Sequence, residues 1–289
     1  AFGKRIKRMI LVLGSTGLLG NSLMNRLNNT RLEFIGTVRN QSGFDTNSKN
    51  IIEVSNLMDF SELEKVIRKI EPEVIVNCLS LSDYERSKSF IEKSYYIYSV
   101  LPKVLDMLGS KYRYKYIHIS TDGVFDGAKG NYSEDSVTSA KDLYGVSKII
   151  GEPSSMHSSC IRTSIYGHSI NKDRGILDWA LMQDECFGFS NYFFSGMSAT
   201  MLSDVLIKYF IKKDNFGLFN ICGPRISKLE LLKKIFSIYK HKCILKEKNK
   251  PNVDLSLDNQ KFQSISNQKN FCHDTMLRQL YVQYTHNDE

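Results

Sequence analysis

A short apolar run that breaks into three evenly spaced glycines stands near the start of the sequence, MILVLGSTGLLG at residues 9–20. Gly14 permits a tight turn after a strand, Gly17 lets the backbone approach a pyrophosphate, and Gly20 lets the next helix pack closely on the strand. The N-terminus of that helix then faces the anionic oxygens of the ligand. Because three glycines also occur in ordinary strand-to-helix turns, the residues that follow must decide between the two interpretations.

The first half of the sequence alternates between short apolar runs and helical patterns. The predicted strands are MILVL, FIGTV, IIEV, VIVNCL and the end of YRYKYIHIS. Helical periodicity is clear in GLLGNSLMNRLNN and from Asp59 to Ile70, where Glu71-Pro72 ends the helix. Strands and helices in this order predict an α/β fold, a doubly wound parallel sheet of the Rossmann type.

From about Gly167 the alternation loosens. The glycine- and aromatic-rich stretch CFGFSNYFFSG is followed by a helix, the strand LFNIC, the helix SKLELLKKIFSIY and, after Lys246, a polar and weakly patterned tail. We predict a dinucleotide-binding Rossmann domain over residues 1–166. Residues 167–289 are expected to form a smaller, irregular C-terminal lobe that mainly binds substrate, with one segment that returns to the Rossmann sheet.

Composition limits the cellular setting. No stretch approaches the roughly 18 consecutive apolar residues of a membrane span. The basic start followed by MILVLG resembles a signal peptide superficially, but glycines interrupt the apolar run and no cleavage site follows, so we interpret Ile10 to Leu13 as a strand. The six cysteines are scattered, with no C-x-x-C pair, which indicates free thiols in a reducing compartment. We therefore expect a cytoplasmic protein that does not enter a membrane.

The net charge of +8 suits a phosphorylated partner. The basic residues are dispersed, and the two local clusters, Lys4 to Arg8 and Lys246 to Lys250, lack interleaved aromatic residues. We expect no nucleic-acid partner, whereas a ligand that carries a diphosphate is attracted to such a surface.

Arg39 stands where the choice between two nicotinamide cofactors is made. A site for NAD places Asp or Glu at the end of the second strand, about 20 residues after the glycines, to bind the ribose 2′-hydroxyl. In this sequence Arg39 occupies that position, and a guanidinium there meets a 2′-phosphate. The sequence therefore favours NADPH, with NADH as the alternative.

Tyr144 and Lys148 are one helical turn apart in DLYGVSKIIGE, so their side chains share one face of the predicted helix. A phenol has a pKa of about 10 in water, and a neighbouring ammonium lowers that pKa toward the working range of an acid–base catalyst. Ser120 and Thr121 follow the fifth predicted strand, where a hydroxyl can hydrogen-bond the same carbonyl oxygen. Tyr and Lys at this spacing are common by chance, and their order after a glycine turn and a strand ending in Ser-Thr gives them weight.

With these segments together, the sequence resembles the extended short-chain dehydrogenase/reductases and, more narrowly, the dTDP-4-dehydrorhamnose reductase family of nucleotide-sugar ketoreductases. The segments that carry the resemblance are GSTGLLG, VNCLS, STDGVFDG, YGVSKIIGE and IRTSIYG. The resemblance is firm to about Gly167 and thin beyond Gly196.

This resemblance implies NADPH-dependent reduction of the C4 ketone of a nucleotide-linked 4-keto-6-deoxy sugar, in deoxysugar biosynthesis for surface glycans. It implies that Tyr144 protonates the developing alkoxide, Lys148 holds the nicotinamide ribose and tunes Tyr144, and Thr121 orients the ketone. Further implied cofactor-binding residues are Gly14, Ser15, Thr16, Gly17, Leu18, Leu19, Gly20, Arg39, Asn56, Leu57, Cys78, Leu79 and Ser80. Implied substrate-binding residues are Ser82, Asp122, Gly123, Val124 and Phe125. We identify no metal ligands, and a homodimer is compatible with the family.

Four positions depart from the pattern of the family. Gly123 replaces an aromatic residue, Tyr98 an Asn, Asn56 an acidic residue and Ile165 a Trp. Because these departures alter the wall expected to face the substrate, two alternatives stay open. One is a nucleotide-sugar epimerase of the same superfamily, and the other is a non-catalytic NADP-binding regulatory subunit.

Two acidic residues and one histidine are not assigned to catalysis. His118 lies within an apolar strand and is expected to be a satisfied core histidine. Asp122 and Asp126 lie in one turn, where carboxylates more often cap and brace loops than bind metal.

Overall fold

The computed structural model describes residues 9–39, 50–81, 88–170, 175–266 and 271–286. The basic cluster from Lys4 to Arg8 and the predicted substrate residue Ser82 lie outside these residues. The strands are β1 Met9–Leu13, β2 Glu33–Val38, β3 Ile51–Glu53, β4 Val74–Asn77, β5 Lys115–Ile119, β6 Ser158–Arg162, β7 Ile165–Tyr166, β8 Glu185–Phe189, β9 Tyr192–Phe194, β10 Met197–Ser198, β11 Gly217–Asn220, β12 Ile226–Ser227, β13 Ile244–Lys248 and β14 Val253–Asp254.

The helices fill the intervals between these strands. They are α1 Leu18–Asn28, α2 Phe60–Ile70, α3 Lys88–Tyr95, α4 Leu101–Tyr112, α5 Leu143–Gly151, α6 Gly175–Leu181, α7 Ala199–Val205, α8 Lys228–Tyr239, α9 Gln260–Ser266 and α10 His273–His286. Two π-helical turns, Tyr96–Val100 and Leu206–Ile211, continue α3 and α7, and a short 3₁₀ turn covers Asp122–Val124.

Seven strands form one sheet in the order β11-β6-β5-β4-β1-β2-β3, and every pairing in it is parallel. The order reverses next to β1, as in doubly wound α/β folds, which confirms the predicted Rossmann-type fold class. Strand β11 comes from beyond residue 167 and pairs with β6 at the edge of the sheet. The remaining strands form small two- and three-stranded sheets.

The sheet is buried on both faces because helices cover each of them. In β1, Ile10 and Val12 belong to the apolar cluster on one face, and Leu11 and Leu13 belong to the cluster on the other. Alternate residues of a strand point to opposite faces, so a strand covered on both sides consists of apolar residues without a polar alternation. This is why the run MILVL marks the strand so clearly in the sequence.

Helix α2 shows how the sequence sets both ends of an element. The Asp59 side chain accepts hydrogen bonds from the backbone N–H groups of Ser61 and Glu62, which caps the N-terminus. At the other end Glu71 adopts a left-handed conformation with φ of 48°, and Pro72 cannot continue the helix. The predicted helix from Asp59 to Ile70 is therefore confirmed.

The tail after Lys246 differs from the weakly patterned segment expected from the sequence. It forms two short strands and the helices α9 and α10. Phe262, Met276 and Leu277 in this tail are completely buried in the apolar cluster that also contains Ile10 and Leu23. A few large apolar residues at wide spacing are enough to anchor these helices, because helical stability in proteins comes mainly from tertiary packing.

Within the ranges the structure describes, no helix combines the length and apolar character needed to cross a membrane.

Candidate functional site

Two adjoining cavities lie at the carboxyl edge of the parallel sheet. We call them the Arg39 cavity, with a volume of about 470 Å³, and the Tyr144 cavity, with a volume of about 460 Å³. The two share a wall made by Gly17 and residues 78–81. Together they form one groove along the point at which the strand order reverses, where open α/β sheets bind their ligands.

The glycine turn lies between β1 and α1 at the floor of this groove. Gly14 has a φ of 77°, a left-handed conformation that glycine adopts without strain, and its N–H donates to Oγ1 of Thr37. Gly17 begins α1, and no side chain caps the helix N-terminus and no acidic residue occupies its first turn. The first-turn N–H groups of this helix are therefore suited to an anionic ligand.

Gly20 and Ser15 support the turn from behind and line neither cavity. A Cβ on Gly20 would lie 2.0 Å from the carbonyl oxygen of Gly14, so only glycine permits this packing of α1 on the turn. Ser15 is buried, and its hydroxyl donates to the Thr37 carbonyl at 2.8 Å. Of the residues the sequence singled out here, Gly14, Thr16 and Gly17 line the Arg39 cavity, and Gly17, Leu18 and Leu19 line the Tyr144 cavity.

The Arg39 cavity brings together the ends of β2, β3 and β4. Arg39, Asn56 and Leu57 line it. The Asn56 side-chain oxygen accepts from the Met58 N–H, and its backbone N–H donates to Glu62. The exposed Arg39 directly follows β2, at the position predicted from the sequence to contact the ribose of a dinucleotide.

The Tyr144 cavity gathers the three predicted catalytic residues. Thr121, Tyr144 and Lys148 all line it, as do Cys78, Leu79 and Ser80 on the shared wall. The Asp142 side chain caps α5 by accepting from the Gly145 N–H, so Tyr144 lies in the first turn of the helix. Lys148 follows one turn later on the same face.

Lys148 is a buried cation, 4% exposed, whose ammonium donates to the Ile119 carbonyl at 2.8 Å. Its nitrogen also lies 5.1 Å from the centroid of the Tyr98 ring. Burial lowers the pKa of Lys148 to about 8, and the negative charge of Glu152 opposes that shift. The same burial raises the pKa of the Cys78 thiol to about 12, so that thiol remains neutral. Lys148 is thus still mainly protonated near neutral pH.

The two hydroxyls that follow β5 have different partners. The Thr121 oxygen accepts from the Gly123 N–H at 3.0 Å, and its hydroxyl donates to the Asp122 carboxylate at 3.2 Å. The Ser120 hydroxyl donates to Glu152 at 2.7 Å, and Glu152 forms a bidentate pair with Arg162. Ser120 therefore braces a buried ion pair, and of the two hydroxyls that of Thr121 is better placed to turn toward a ligand.

The predicted substrate residues after Thr121 divide into two groups. Gly123 lines neither cavity, but it lies beside the catalytic residues, since a Cβ there would be 3.3 Å from Thr121 Oγ1 and 3.5 Å from Tyr144 Cε1. Val124 and Phe125 are buried in a small apolar cluster, where Phe125 stacks on Tyr132, and they line neither cavity. Asp122 is also buried and lines neither cavity, and burial raises the pKa of its carboxyl to about 6, against the opposing charge of Lys228.

His118 is buried as expected, but it is only partly satisfied. Its Nδ1 lies 3.2 Å from the Tyr116 hydroxyl and 3.3 Å from the Asn77 side-chain nitrogen, whereas Nε2 has no hydrogen-bond partner. Burial lowers the pKa of His118 well below its usual range, which keeps the ring neutral. Asp126 braces its loop by accepting from the Ala128 N–H and the Tyr132 hydroxyl.

Sequence reasoning missed several residues that shape the groove. Thr163, Ser164 and Gly175 line the Tyr144 cavity, and Thr37 lines the Arg39 cavity and holds the glycine turn. The segment IRTSIYG had pointed to the region after β6, and Thr37 stands at the end of β2, whose neighbour in the sheet is β1. The sequence alone does not show that Thr37 lies next to the glycine turn, because this contact depends on the parallel pairing of β1 with β2.

A third cavity, of about 520 Å³, opens at the opposite edge of the sheet, where Glu73, Val74 and Lys115 stand near the beginnings of β4 and β5. We assign the functional site to the carboxyl edge, because parallel α/β sheets bind ligands there. Across the described ranges no group of three or more His, Cys, Asp or Glu is placed to hold a metal ion.

Two curated relatives match about half of the chain. A protein of Bacillus subtilis strain 168 named spore coat polysaccharide biosynthesis protein SpsK is 28% identical over 166 residues, which are 55% of this chain and 54% of that protein. Methionine adenosyltransferase 2 subunit beta of Xenopus tropicalis is 29% identical over 160 residues, 53% of this chain and 44% of that protein. The chain spans about half the length of the curated relatives it matches.

Solved structures match nearly the whole chain. A hypothetical dTDP-4-dehydrorhamnose reductase from Sulfolobus tokodaii is 29% identical with a TM-score of 0.78, covering 92% of this chain and 98% of that one. A dTDP-4-dehydrorhamnose reductase from Bacillus anthracis strain Ames, solved in complex with NADP, has a TM-score of 0.80 at 18% identity, which shows the fold alone, and covers 96% of this chain and 100% of that one.

Residues 8–237 match the family described as RmlD substrate binding domain. The chain therefore belongs to the RmlD substrate binding domain family, within the extended short-chain dehydrogenase/reductases.

Proposed function

We propose that this protein is an NADPH-dependent reductase that acts on the C4 ketone of a nucleotide-linked 4-keto-6-deoxy sugar. The observation that carries the proposal is the convergence of Thr121, Tyr144 and Lys148 on one cavity that adjoins the glycine turn. The Sulfolobus tokodaii structure, with 29% identity over almost all of its length, supports the same reaction class.

The described residues fit a dinucleotide. The groove continues from the Arg39 cavity to the Tyr144 cavity past the uncapped N-terminus of α1. In this proposal Arg39 meets the 2′-phosphate, Asn56 and Leu57 flank the adenine, and Gly14 to Leu19 hold the pyrophosphate. Cys78 to Ser80 run beside the cofactor, and Lys148 holds the nicotinamide ribose. When bound, NADPH supplies a hydride.

The side chains of this protein supply the rest of the chemistry. The Tyr144 phenol donates its proton to the ketone oxygen, so that ketone, hydride and proton give a secondary alcohol. The Lys148 ammonium stabilises the phenolate that remains, because an opposite charge nearby favours the charged form. The Thr121 hydroxyl rotates away from Asp122 and hydrogen-bonds the same ketone oxygen.

We also propose where the substrate lies and where the protein works. Residues 1–166 carry the dinucleotide site and residues 167–289 mainly bind the sugar nucleotide, with β11 returned to the main sheet. Gly123 is the substrate-side residue of this proposal, and Ser82, outside the described residues, is proposed to join it. The buried Asp122, Val124 and Phe125 support Gly123 from the core. The scattered cysteines favour the cytoplasm, and a homodimer remains compatible with the proposal.

Tyr144→Phe tests the mechanism. We expect loss of NADPH oxidation by about a hundredfold or more with a 4-keto-6-deoxy sugar nucleotide, because the variant lacks the acidic proton. NADPH affinity, measured by calorimetry, should stay close to that of the unmodified protein. Tyr95→Phe, at an exposed tyrosine outside both cavities, is the matched control and should leave both quantities unchanged. Undiminished turnover by Tyr144→Phe would refute the mechanism.

A second candidate function is that of a non-catalytic NADP-binding subunit. It is favoured by the relative from Xenopus tropicalis, whose name is that of a subunit of methionine adenosyltransferase. A panel of 4-keto-6-deoxy sugar nucleotides separates the candidates through the loss of nicotinamide absorbance. A reductase oxidises NADPH with at least one member, whereas a subunit binds NADPH and shows no turnover. An epimerase converts the sugar without net oxidation of NADPH.

A further inference from the structure

Tyr98 lies in the π-helical turn Tyr96–Val100, between α3 and α4, and it is 4% exposed. It lines neither cavity, yet it contacts residues of both. Irregular turns of this kind inside helices are frequent at functional sites.

The Tyr98 hydroxyl is tied to the wall that the two cavities share. It accepts a hydrogen bond from the Leu81 backbone N–H at 2.7 Å and lies 3.4 Å from the Ser80 hydroxyl. Residues 79–81 line both cavities. The hydroxyl therefore fixes the end of a backbone segment that borders the whole groove.

The Tyr98 ring contacts the proposed proton donor and its cation. The Lys148 nitrogen lies 5.1 Å from the ring centroid, within the range of a cation–π interaction. The ring also meets Tyr144 edge-to-face, with centroids 5.2 Å apart and planes at 90°. One side chain thus contacts both Tyr144 and Lys148.

The turn that carries Tyr98 is docked firmly on α5. The Ser99 hydroxyl donates to the Ser147 carbonyl at 2.9 Å. A Cβ on Gly151 would lie 1.9 Å from the Tyr98 carbonyl oxygen, so the close approach of the turn depends on glycine there. This docking holds the backbone of the turn close to α5, the helix that carries Tyr144 and Lys148.

We propose that Tyr98 is a positioning residue that couples the two halves of the groove: its hydroxyl holds residues 79–81 against the cofactor, and its ring holds the Lys148 ammonium beside Tyr144. The role of the ring beside Tyr144 and Lys148 rests on the proposed function. The role of the hydroxyl requires only that the groove binds the cofactor. The tyrosine replaces the family's Asn with a side chain that serves both purposes.

The pH dependence expected of this arrangement depends on the titratable groups around Lys148, and the Tyr144 phenol faces it from one turn earlier on α5. Cys160 on β6, Cys78 after β4 and Glu152 after α5 interact with its charge, and His118 on β5 also lies within its field. His118 stays neutral, and burial raises the pKa of both thiols, so Glu152 is the anion of this group. Glu152 is already paired with Arg162, which leaves the Tyr98 ring as a distinct stabiliser of the ammonium.

Two substitutions separate the hydroxyl from the ring. Tyr98→Phe keeps the ring and removes the acceptor for Leu81, so we expect the dissociation constant for NADPH to rise by about fivefold to tenfold. Its pH dependence should not change. Tyr98→Leu removes the ring as well, and without the cation–π contact Lys148 loses its proton at lower pH. If Lys148 must be protonated to hold the cofactor, NADPH affinity is expected to fall near the Lys148 pKa of about 8, and in Tyr98→Leu this fall should move down by about half a pH unit to one unit.

Tyr96→Phe is the matched control, because Tyr96 lies in the same turn and its buried hydroxyl has no hydrogen-bond partner among the residues that the structure describes. It should change neither the affinity nor its pH dependence. Calorimetry with NADPH from about pH 6 to about pH 10 gives both readouts without turnover. The proposal is overturned if Tyr98→Phe binds NADPH as Tyr96→Phe does, or if Tyr98→Leu lowers the melting temperature without moving the pH dependence. Absence of turnover in the unmodified protein would instead count against the proposed function.

Discussion

At the scale of single residues, we propose that Arg39 sets which nicotinamide cofactor the groove prefers. Its guanidinium stands at the carboxyl end of β2, on the wall of the Arg39 cavity. A charge-assisted hydrogen bond to a 2′-phosphate contributes about 1.5–3 kcal/mol. We expect Arg39→Ala to weaken NADPH binding by about tenfold to a hundredfold and to leave NADH binding unchanged, as measured by calorimetry with both cofactors.

Arg31→Ala is the control for this prediction, because Arg31 is equally exposed but stands near the other end of β2. It should leave both affinities within experimental error of the unmodified protein. Equal losses of NADPH and NADH affinity in Arg39→Ala would mean that the guanidinium does not recognise the 2′-phosphate.

The sequence was sufficient to name Thr121, Tyr144 and Lys148 as neighbours, because each stands at the carboxyl end of a strand or on the helix that follows it. It was not sufficient to find Thr37, and it marked Tyr98 only as a departure from the family pattern. Their roles come from contacts with Leu81 and with the glycine turn, made across separate elements. The sequence also did not separate Gly123, which lies beside Thr121 and Tyr144, from the buried Val124 and Phe125. These consecutive residues lie in or directly after one short 3₁₀ turn, so their environments differ over a single turn of chain.

At the scale of elements, we predict that two glycines of the same turn have different roles, Gly20 in stability and Gly17 in cofactor binding. Gly20→Ala would force its Cβ to within 2.0 Å of the Gly14 carbonyl oxygen, so the turn or α1 must move. Such overpacking costs about 1–3 kcal/mol, and we expect a melting temperature lower by several degrees in calorimetry.

Gly17→Ala is the matched variant. A Cβ on Gly17 would lie 3.4 Å from the Gly14 carbonyl, an ordinary contact, and Gly17 has an extended backbone that alanine adopts. We expect a melting temperature close to that of the unmodified protein, together with weaker NADPH binding, because the added methyl group enters the groove. If both variants lose stability equally, the turn has no separate binding role.

Elements buried on both faces were the easiest to predict from the sequence. The strands β1 and β4 are almost continuous apolar runs, and the parallel sheet confirms them together with the predicted β2, β3 and β5. Helices α9 and α10 were not predicted, because only scattered residues such as Phe262 and Leu277 reach the core. The π-helical turns also leave no periodic signal, since their irregularity comes from packing against α5 and other helices.

At the scale of the whole molecule, the apolar cluster on one face of the sheet draws residues from both halves of the chain. Ile10 and Leu23 share it with Leu202, Leu277 and Leu280. A bidentate ion pair between Arg26 on α1 and Asp204 on α7 adds a second link, with N–O distances of 2.6 and 2.9 Å. The N-terminal half of the chain therefore depends on the C-terminal helices for part of its core.

Leu277→Ala tests this dependence. Leu277 is completely buried in α10, and truncation of a buried leucine costs about 2–5 kcal/mol. We expect a lower melting temperature with a single unfolding transition, because the two halves share one apolar cluster. Val282→Ala, at a half-exposed position of the same helix, should have a free energy of unfolding within about 0.5 kcal/mol of that of the unmodified protein. The contrary outcome is two separate unfolding transitions in Leu277→Ala, of which only the first is shifted and only the second is stabilised by NADPH. This result would show that the N-terminal half folds without α10.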